Sequence, residues 1–396
     1  MHDCLTTAKP PQLEDKPQVP LKIGIVTEYY YPLLGGISEN VHHTATELVA
    51  RGHAVTIISA APPNNGFTLP VPNGIPTRRV GRTMKIYGNG AIAHFTVGVH
   101  LWRDMRELLE AERFDLLQLH SPLFFTLPPM AALLGKCPRV GTFHSYFEPS
   151  LVYNALKGVL QKQFVDRLDG VTVVSPSVLR ALSRYFEMDA RIVPNGVDTQ
   201  MFNPRVPRMV RFGPEKRTLL FLGRFDPRNG LPFMLRAFAE VRKRLRDVRL
   251  VVVGSGPLEG VYQRMVPDDL RDDVHFEGPA LINRPSYYAS ADLFCSPISN
   301  ASFGITLLEA MATGTPIVAT DNVGYRDLLG PEGLLVPYDV KGFADAIVQL
   351  LSDDRLRIAM REAGLRKAEE YSWPSVVTRL LDYFQEITAG TCRVAC

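Results

Sequence analysis

Short apolar runs and helix-length amphipathic stretches alternate along most of this chain. LKIGIV at 21–26 leads through a loop into a helix-period segment from about Ile37 to Arg51. Gly52 ends that helix, and AVTIIS follows as the next strand. FDLLQLH, RVGTFH, GVTVVS and ARIVP repeat the unit. The regularity lapses in NGVDTQMFNPRVPRMVRFGPEKR, where prolines and charges cluster as in a linker. It restarts with TLLFLG, VRLVVVG, DVHFEG, DLFCSP, PIVAT and GLLVP. Runs this uniformly apolar read as parallel strands covered by helices on both faces. The pattern predicts an α/β chain of two tandem Rossmann-like, doubly wound domains, at 21–203 and 215–373, facing each other across a cleft. Residues 1–20 read as a disordered leader, 374–388 as a terminal helix free to pack back on the first domain, and 389–396 as a tail.

Composition narrows the class. The chain has 396 residues, 46% hydrophobic and 21% charged, as in an ordinary globular protein. Its 44 basic and 41 acidic groups leave a net charge of +3, too balanced for a nucleic-acid partner. No apolar run reaches the length of a membrane span; the most apolar stretch, SPLFFTLPPMAALLG, is broken by prolines. The first residues lack the order of a signal peptide. The five cysteines are scattered, with Cys295 in an apolar strand, so neither a disulfide framework nor a complete zinc site is expected. The expectation is a cytoplasmic protein, at most peripheral on the cytoplasmic face of a membrane. The segment GVHLWRDMRELLEAERF can form an amphipathic helix with Trp102, Met105 and Leu109 on one side. Its acids offset its arginines, so packing onto its own sheet is its expected use.

The strand ends carry the candidate chemistry, because ligands of such sheets sit at the carboxyl ends of the strands. The first strand runs into TEYYYPLLGGISEN rather than a G-x-G-x-x-G turn. The second ends without an acid for a ribose, which disfavours a nicotinamide oxidoreductase. Gly35-Gly36 before a helix offers backbone amides to an anion or a sugar, although a glycine pair alone is more often just a loop. In the second half, FLGRFDPRNG places Arg224 at a strand end with Arg228 after it, and VVVGSGPLEG gives a glycine loop after the next strand. Together with a helix start at Ser302–Gly304, these features converge on one anionic ligand, with guanidinium groups suited to phosphate oxygens.

Glu309 raises a separate question. It is the only charged residue in SNASFGITLLEAMATGTPIVAT, residues 299–320. Ser302 is placed to cap a helix starting at Phe303 or Gly304, and Gly314 and Pro316 end it. A carboxylate buried in that helix without a partner costs several kcal/mol. Two readings stay open on these residues: protein donors satisfy it, or it accepts from hydroxyls of a ligand held at the helix start.

The order of KIGIVTEYYYPLLGGISENV, ELVARGHAVTIIS, FDLLQLHSP, GTFHS, IVPNGVDTQMF, LLFLGRFDPRNG, VVVGSGPL, SADLFCSP and SFGITLLEAMATGTPIVAT resembles the family 4 retaining nucleotide-sugar glycosyltransferases of the GT-B fold, most of all the phosphatidylinositol α-mannosyltransferases. The resemblance covers about Leu21 to Trp373. It implies a hexosyltransferase that moves a sugar, mannose by this likeness, from a nucleoside diphosphate donor to a lipid or glycan acceptor, with no metal and no cofactor. It also implies site roles. Glu309 matches the glutamate on the ribose hydroxyls, Arg224 the arginine on the diphosphate, and His144 a histidine that reaches the transferred sugar. Ser302, Phe303, Gly304 and Ile305 match the phosphate-and-sugar loop. Tyr29 and Gly36 match first-domain donor contacts, Arg228 joins the diphosphate side, and Arg284 falls near the base. Asn89 and His94 fall on the acceptor side. Three positions depart from the family. Ala301 stands in place of a second glutamate, Asn229 in place of a lysine, and His94 in place of an arginine that meets the acceptor phosphate. The alternative from another class is a catalytically silent nucleotide-sugar-binding protein that kept the fold.

Overall fold

The computed structural model describes residues 19–33, 35–62, 74–88, 91–123, 126–280 and 283–392. Most of the expected leader, 1–18, lies outside the described residues, as do Asn89 and the side chain of His94.

The first sheet holds eight strands: β1 Lys22–Val26, β2 Ala54–Ala61, β3 Thr77–Gly88, β4 Ala91–Val97, β5 Leu116–His120, β6 Arg139–Phe143, β7 Gly170–Val173 and β8 Ala190–Ile192. Their order is β4-β3-β2-β1-β5-β6-β7-β8. Every pair is parallel except β3 with β4. The second sheet holds β9 Arg217–Leu222, β10 Val248–Val253, β11 Val274–Phe276, β12 Leu293–Ser296, β13 Ile317–Thr320 and β14 Gly333–Val336. It is parallel throughout, in the order β11-β10-β9-β12-β13-β14. The inner strands, such as β7, β10, β12 and β13, are buried on both faces, and so appear in the sequence as nearly unbroken apolar runs.

The antiparallel pair β3–β4 is the exception. TRRVGRTMKIYG and AIAHFTV sit at the edge of the sheet, and β3 carries Arg78, Arg79, Arg82 and Lys85, so neither shows as an unbroken apolar run. The Asn-Gly that separates them is the hairpin signal a period-two reading would have used.

Two packing features join the halves. One apolar cluster runs from Val173 and Phe186 beside the first sheet to Phe303, Leu307 and Tyr325 beside the second. The last helix, Trp373–Cys392, returns to the first sheet and buries Val376, Val377, Leu380, Leu381 and Phe384 against Ile23, Ile25 and Leu48. It continues to Cys392, into the segment expected as a tail. Where the chain crosses between the halves, Val197 N–H donates to Tyr371 O at 2.9 Å and Trp373 N–H donates to Val197 O at 3.2 Å. The linker is anchored as well. Phe202 and Phe212 are buried, and Met209 N–H donates to Ser290 Oγ at 2.8 Å.

Phe384 is fully buried in that returning helix. Phe384→Ala is expected to lower unfolding free energy by about 3–5 kcal/mol in urea. An unchanged midpoint would show that the helix contributes nothing to the core.

Candidate functional site

Glu309 sits in the helix Ile305–Thr313 with only 2% of its surface exposed. Both its oxygens are taken. Arg284 Nη2 lies 2.9 Å from Oε1, and the Tyr288 hydroxyl donates to Oε2 at 2.8 Å. The sequence segment holds no cation because the partner arrives from another helix, Arg284–Ser290. The reading in which the carboxylate's partners come only with a ligand is therefore corrected: protein donors satisfy it. Arg284 also reaches across the cleft, its Nη1 donating to Glu39 Oε1 at 3.1 Å in the first turn of the helix Gly36–Ala50. Its guanidinium lies over the Phe202 ring, 5.3 Å from the centroid. Burial pushes the Glu309 carboxyl up to about 7, against the pull of Arg284 and Tyr288 toward ionisation. Glu39, Arg284, Ile305 and Glu309 share a cavity of about 30 Å³. That is room for a water or two, not a nucleotide.

Two helix starts oppose each other at the mouth of the cleft. A Cβ built on Gly36 would lie 3.2 Å from Ile305 Cδ1, so the amide ends of Gly36–Ala50 and Ile305–Thr313 converge. Both ends carry partial positive charge. Arg224 stands beyond the carboxyl end of β9, exposed, with Nη2 3.3 Å from Asp226 Oδ2. Tyr29, from the loop after β1, is close enough to feel the Arg224 charge, which partly offsets the rise that burial gives its phenol. Arg228 is exposed in the next turn.

The first amide of the second glycine loop is already engaged. Gly254, at φ +147°, donates its N–H to Gly278 O at 2.8 Å, and a Cβ there would collide with Gly223 O. Glycine is needed there so that two loops can touch. The Gly254 amide is therefore not one that a bound anion can use.

The 301–305 loop departs from the expected capping. The helix begins at Ile305, after Gly304, and Ser302 does not cap it. Instead Ser302 Oγ accepts from Tyr146 N–H at 2.8 Å, and its carbonyl accepts from Ser175 Oγ at 2.8 Å. The loop is thus tied to the first half, two residues beyond His144. Phe303 is buried, part of the apolar cluster. Asn229, where the family has a lysine, donates Nδ2–H to the Arg224 carbonyl at 2.8 Å. It fixes the backbone that carries Arg224 instead of adding a charge.

His144, just past β6, meets His120, the last residue of β5. His120 Nδ1 lies 2.7 Å from His144 Nε2, with the rings nearly parallel. One ring must donate and the other accept, so the bond requires at least one of them to be neutral. Burial holds the His144 imidazolium down at about 4, and holds His120 well below its ordinary value with His144 adding to the effect. His120 Nε2 is buried without a hydrogen-bond partner.

The structure therefore brings together Glu309 with Arg284, Gly36 with Ile305, and Tyr29 with Arg224. It adds residues the sequence reading passed over. Glu39 lay in the quoted GGISEN as one acid among many, and His120 ended a strand like the one before His144. Glu28 is buried at the end of β1, where its carboxylate accepts from Thr96 Oγ1 and from the Thr126 and Leu127 amides. That carboxylate pins the loop that carries Tyr29.

Comparisons with known proteins converge on one family. Residues 34–201 match Glycosyltransferase Family 4, and 216–353 match Glycosyl transferases group 1. The phosphatidyl-myo-inositol mannosyltransferase of Mycolicibacterium smegmatis is 30% identical over 380 residues, spanning 94% of this chain and 96% of its own. The alpha-monoglucosyldiacylglycerol synthase of Streptococcus pneumoniae is 27% identical over 358 residues, 84% of this chain and 78% of its own. Among solved structures, Anabaena HepE in complex with UDP and glucose superposes with a TM-score of 0.72 at 17% identity, covering 92% of this chain and 99% of its own.

Two predictions follow from the buried charges. Arg284→Ala leaves Glu309 buried without its cation, and is expected to cost about 3–5 kcal/mol in chemical unfolding. Arg284→Ala combined with Glu309→Gln should recover part of that loss; no recovery would mean that the carboxylate charge is not the cause. The second concerns His144. The unfolded chain binds its proton near 6.5, the folded chain near 4. This contribution is complete above about pH 6.5 and is lost as pH falls toward 4, on the order of 3 kcal/mol. Glu309 acts in the opposite sense between 4.5 and about 7. The reading is therefore the difference between wild type and His144→Asn in urea titrations, and parallel pH profiles would refute it.

Proposed function

Because this chain belongs to the family 4 glycosyltransferases of the GT-B fold and is a hexosyltransferase, we propose that it transfers mannose from a nucleoside diphosphate donor to an inositol-bearing lipid, with retention at the anomeric carbon. The observation that carries this reading is the meeting of two helix starts, at Gly36 and Ile305, beside Arg224 and Tyr29. Two positive helix ends and a guanidinium make a cradle for a diphosphate. The names of the relatives support a lipid acceptor, since one is named for phosphatidyl-myo-inositol and another for diacylglycerol.

In this reading catalysis is electrostatic. Arg224, with Arg228 beside it, and the helix-start amides stabilise the diphosphate as it leaves, more strongly in the transition state than before it. The acceptor hydroxyl attacks from the face the diphosphate departs, and a phosphate oxygen of the leaving group takes the proton. His144 presents a neutral ring, a hydrogen-bonding group for the sugar with no charge to repel the developing cation. Ribose hydroxyls reach Glu309 only when Arg284 gives way, because the present cavity is too small for a nucleoside. Ala301 leaves the sugar without the carboxylate that the family places there, so sugar selection falls to the remaining groups.

The experiment is a screen of GDP- and UDP-sugars by calorimetry, followed by transfer assays with phosphatidylinositol. GDP-mannose binding with transfer to the lipid is the expected result; binding of another donor with no mannose transfer would refute the assignment of sugar. Arg224→Ala, at an exposed position, is expected to lower turnover about a hundredfold or more with little change in melting temperature. An equal loss of stability would mark it as structural.

A further inference from the structure

A row of polar side chains crosses the apolar interior of the first sheet. Gln118 on β5, Thr142 on β6 and Thr172 on β7 are all buried. Gln118 Nε2–H donates to Thr142 Oγ1 at 3.0 Å, and Thr172 Oγ1 donates to the same oxygen at 2.9 Å. His120 follows Gln118 by two positions on β5, so the two side chains share a face of the sheet. Each keeps one buried atom without a partner, Gln118 Oε1 and His120 Nε2. The other nitrogen of His120 is spent on His144. The bonded nitrogens are 2.7 Å apart, the ring centroids 4.9 Å, and the ring planes lie 9° from parallel. The centroids are thus farther apart than the nitrogens by about one ring diameter. The two imidazoles therefore meet edge to edge, nearly in one plane, with the shared proton on the line between them.

Burial keeps both rings neutral, so the bond has only two proton arrangements. Gln118 Oε1 decides between them. It is an acceptor without a donor. A proton on His120 Nε2 suits it, whereas a lone pair there would set two unfilled acceptors on one buried face. With Nε2 protonated, His120 Nδ1 accepts and His144 Nε2–H donates. His144 Nδ1, the nitrogen not used in the pair, then carries a lone pair. We propose that His120, with Gln118 behind it, is a positioning residue for the transfer reaction: it holds the His144 ring in one plane and in its Nε2–H form, so that Nδ1 meets a hydroxyl of the sugar as an acceptor of fixed direction. The inference rests on the proposed placing of the transferred sugar at His144. An imidazole without such a bond turns about its side-chain torsion and exchanges tautomers; a bond to one nitrogen fixes what the other presents. Position fits the use. His144 stands at the carboxyl end of β6, where ligands of parallel sheets sit, two residues before the Tyr146 amide that donates to Ser302. His120 is buried behind it and acts only through it.

The test has two parts. Nitrogen NMR of isotope-labelled histidine, with the His144 signals identified by their loss in His144→Asn, is expected to show Nε2 protonated and Nδ1 unprotonated. His120→Phe keeps a ring and removes the bond, and should give the mixture of tautomers of an unbonded imidazole. Gln118→Met, which removes the acceptor without adding charge, should admit the second tautomer and gives the reading where His120→Phe does not fold. A protonated Nδ1 in wild type, or the wild-type tautomer persisting in both variants, would overturn the inference. The second part is mannose transfer from GDP-mannose to phosphatidylinositol. His120→Phe should lower kcat about ten- to a hundredfold, with GDP binding by calorimetry unchanged. His120→Asn, whose side-chain oxygen can accept from His144 Nε2–H, should recover most of that loss together with the wild-type tautomer. Equal losses in the two variants would mark His120 as structural and overturn the inference. The stated tautomer in a wild-type protein that transfers no mannose would support the held ring and defeat the proposed transfer reaction, so the two fail separately.

Discussion

A carboxylate removed from water has to be matched, and in this molecule that requirement ties the two halves together. Glu309 is matched by Arg284 and Tyr288. Arg284, itself mostly buried, needs more than one carboxylate oxygen, and its second partner, Glu39, belongs to the opposite half. The closed cleft is therefore the arrangement in which three buried or half-buried charges satisfy one another. The interaction decides how close the helix starts at Gly36 and Ile305 come, and through them the shape of the proposed diphosphate site.

The same economy shows in the loops. Ser302 serves the first half with its hydroxyl oxygen and its carbonyl, and Asn229 serves the backbone under Arg224. Residues that the family resemblance places around the donor thus hold the site's geometry through contacts within the protein. Preorganisation of this kind is what electrostatic catalysis needs, because dipoles that are already aimed do not have to be reoriented as charge develops.

The sequence made legible what is periodic or adjacent. Both parallel sheets were visible because strands buried on two faces are apolar without interruption, and the returning helix was visible from its period. The hairpin β3–β4 was not, since its strands mix charged and polar residues with apolar ones and form no unbroken run. The oddity of Glu309 was plain from the lack of any cation in residues 299–320. Its solution was not, because Arg284 lies 25 residues upstream and Glu39 lies in the other half; no local spacing encodes a contact made by tertiary packing. His120 and His144 each looked like a strand-end histidine, and only the order β5-β6 in the sheet sets them side by side. Asn229 read as a missing charge, when its position under the Arg224 loop gives it a backbone to hold.

The crossing of the chain at Val197 and Tyr371–Trp373 bears on how such a molecule can move. Both passages between the halves run side by side and are hydrogen-bonded to each other. Paired threads at one place define an axle: the halves can swing about it, but they can neither slide past one another nor drift apart. A single break in the linker at 203–214 would leave the second thread intact and the last helix seated on the first sheet, so the cut protein would still travel as one particle.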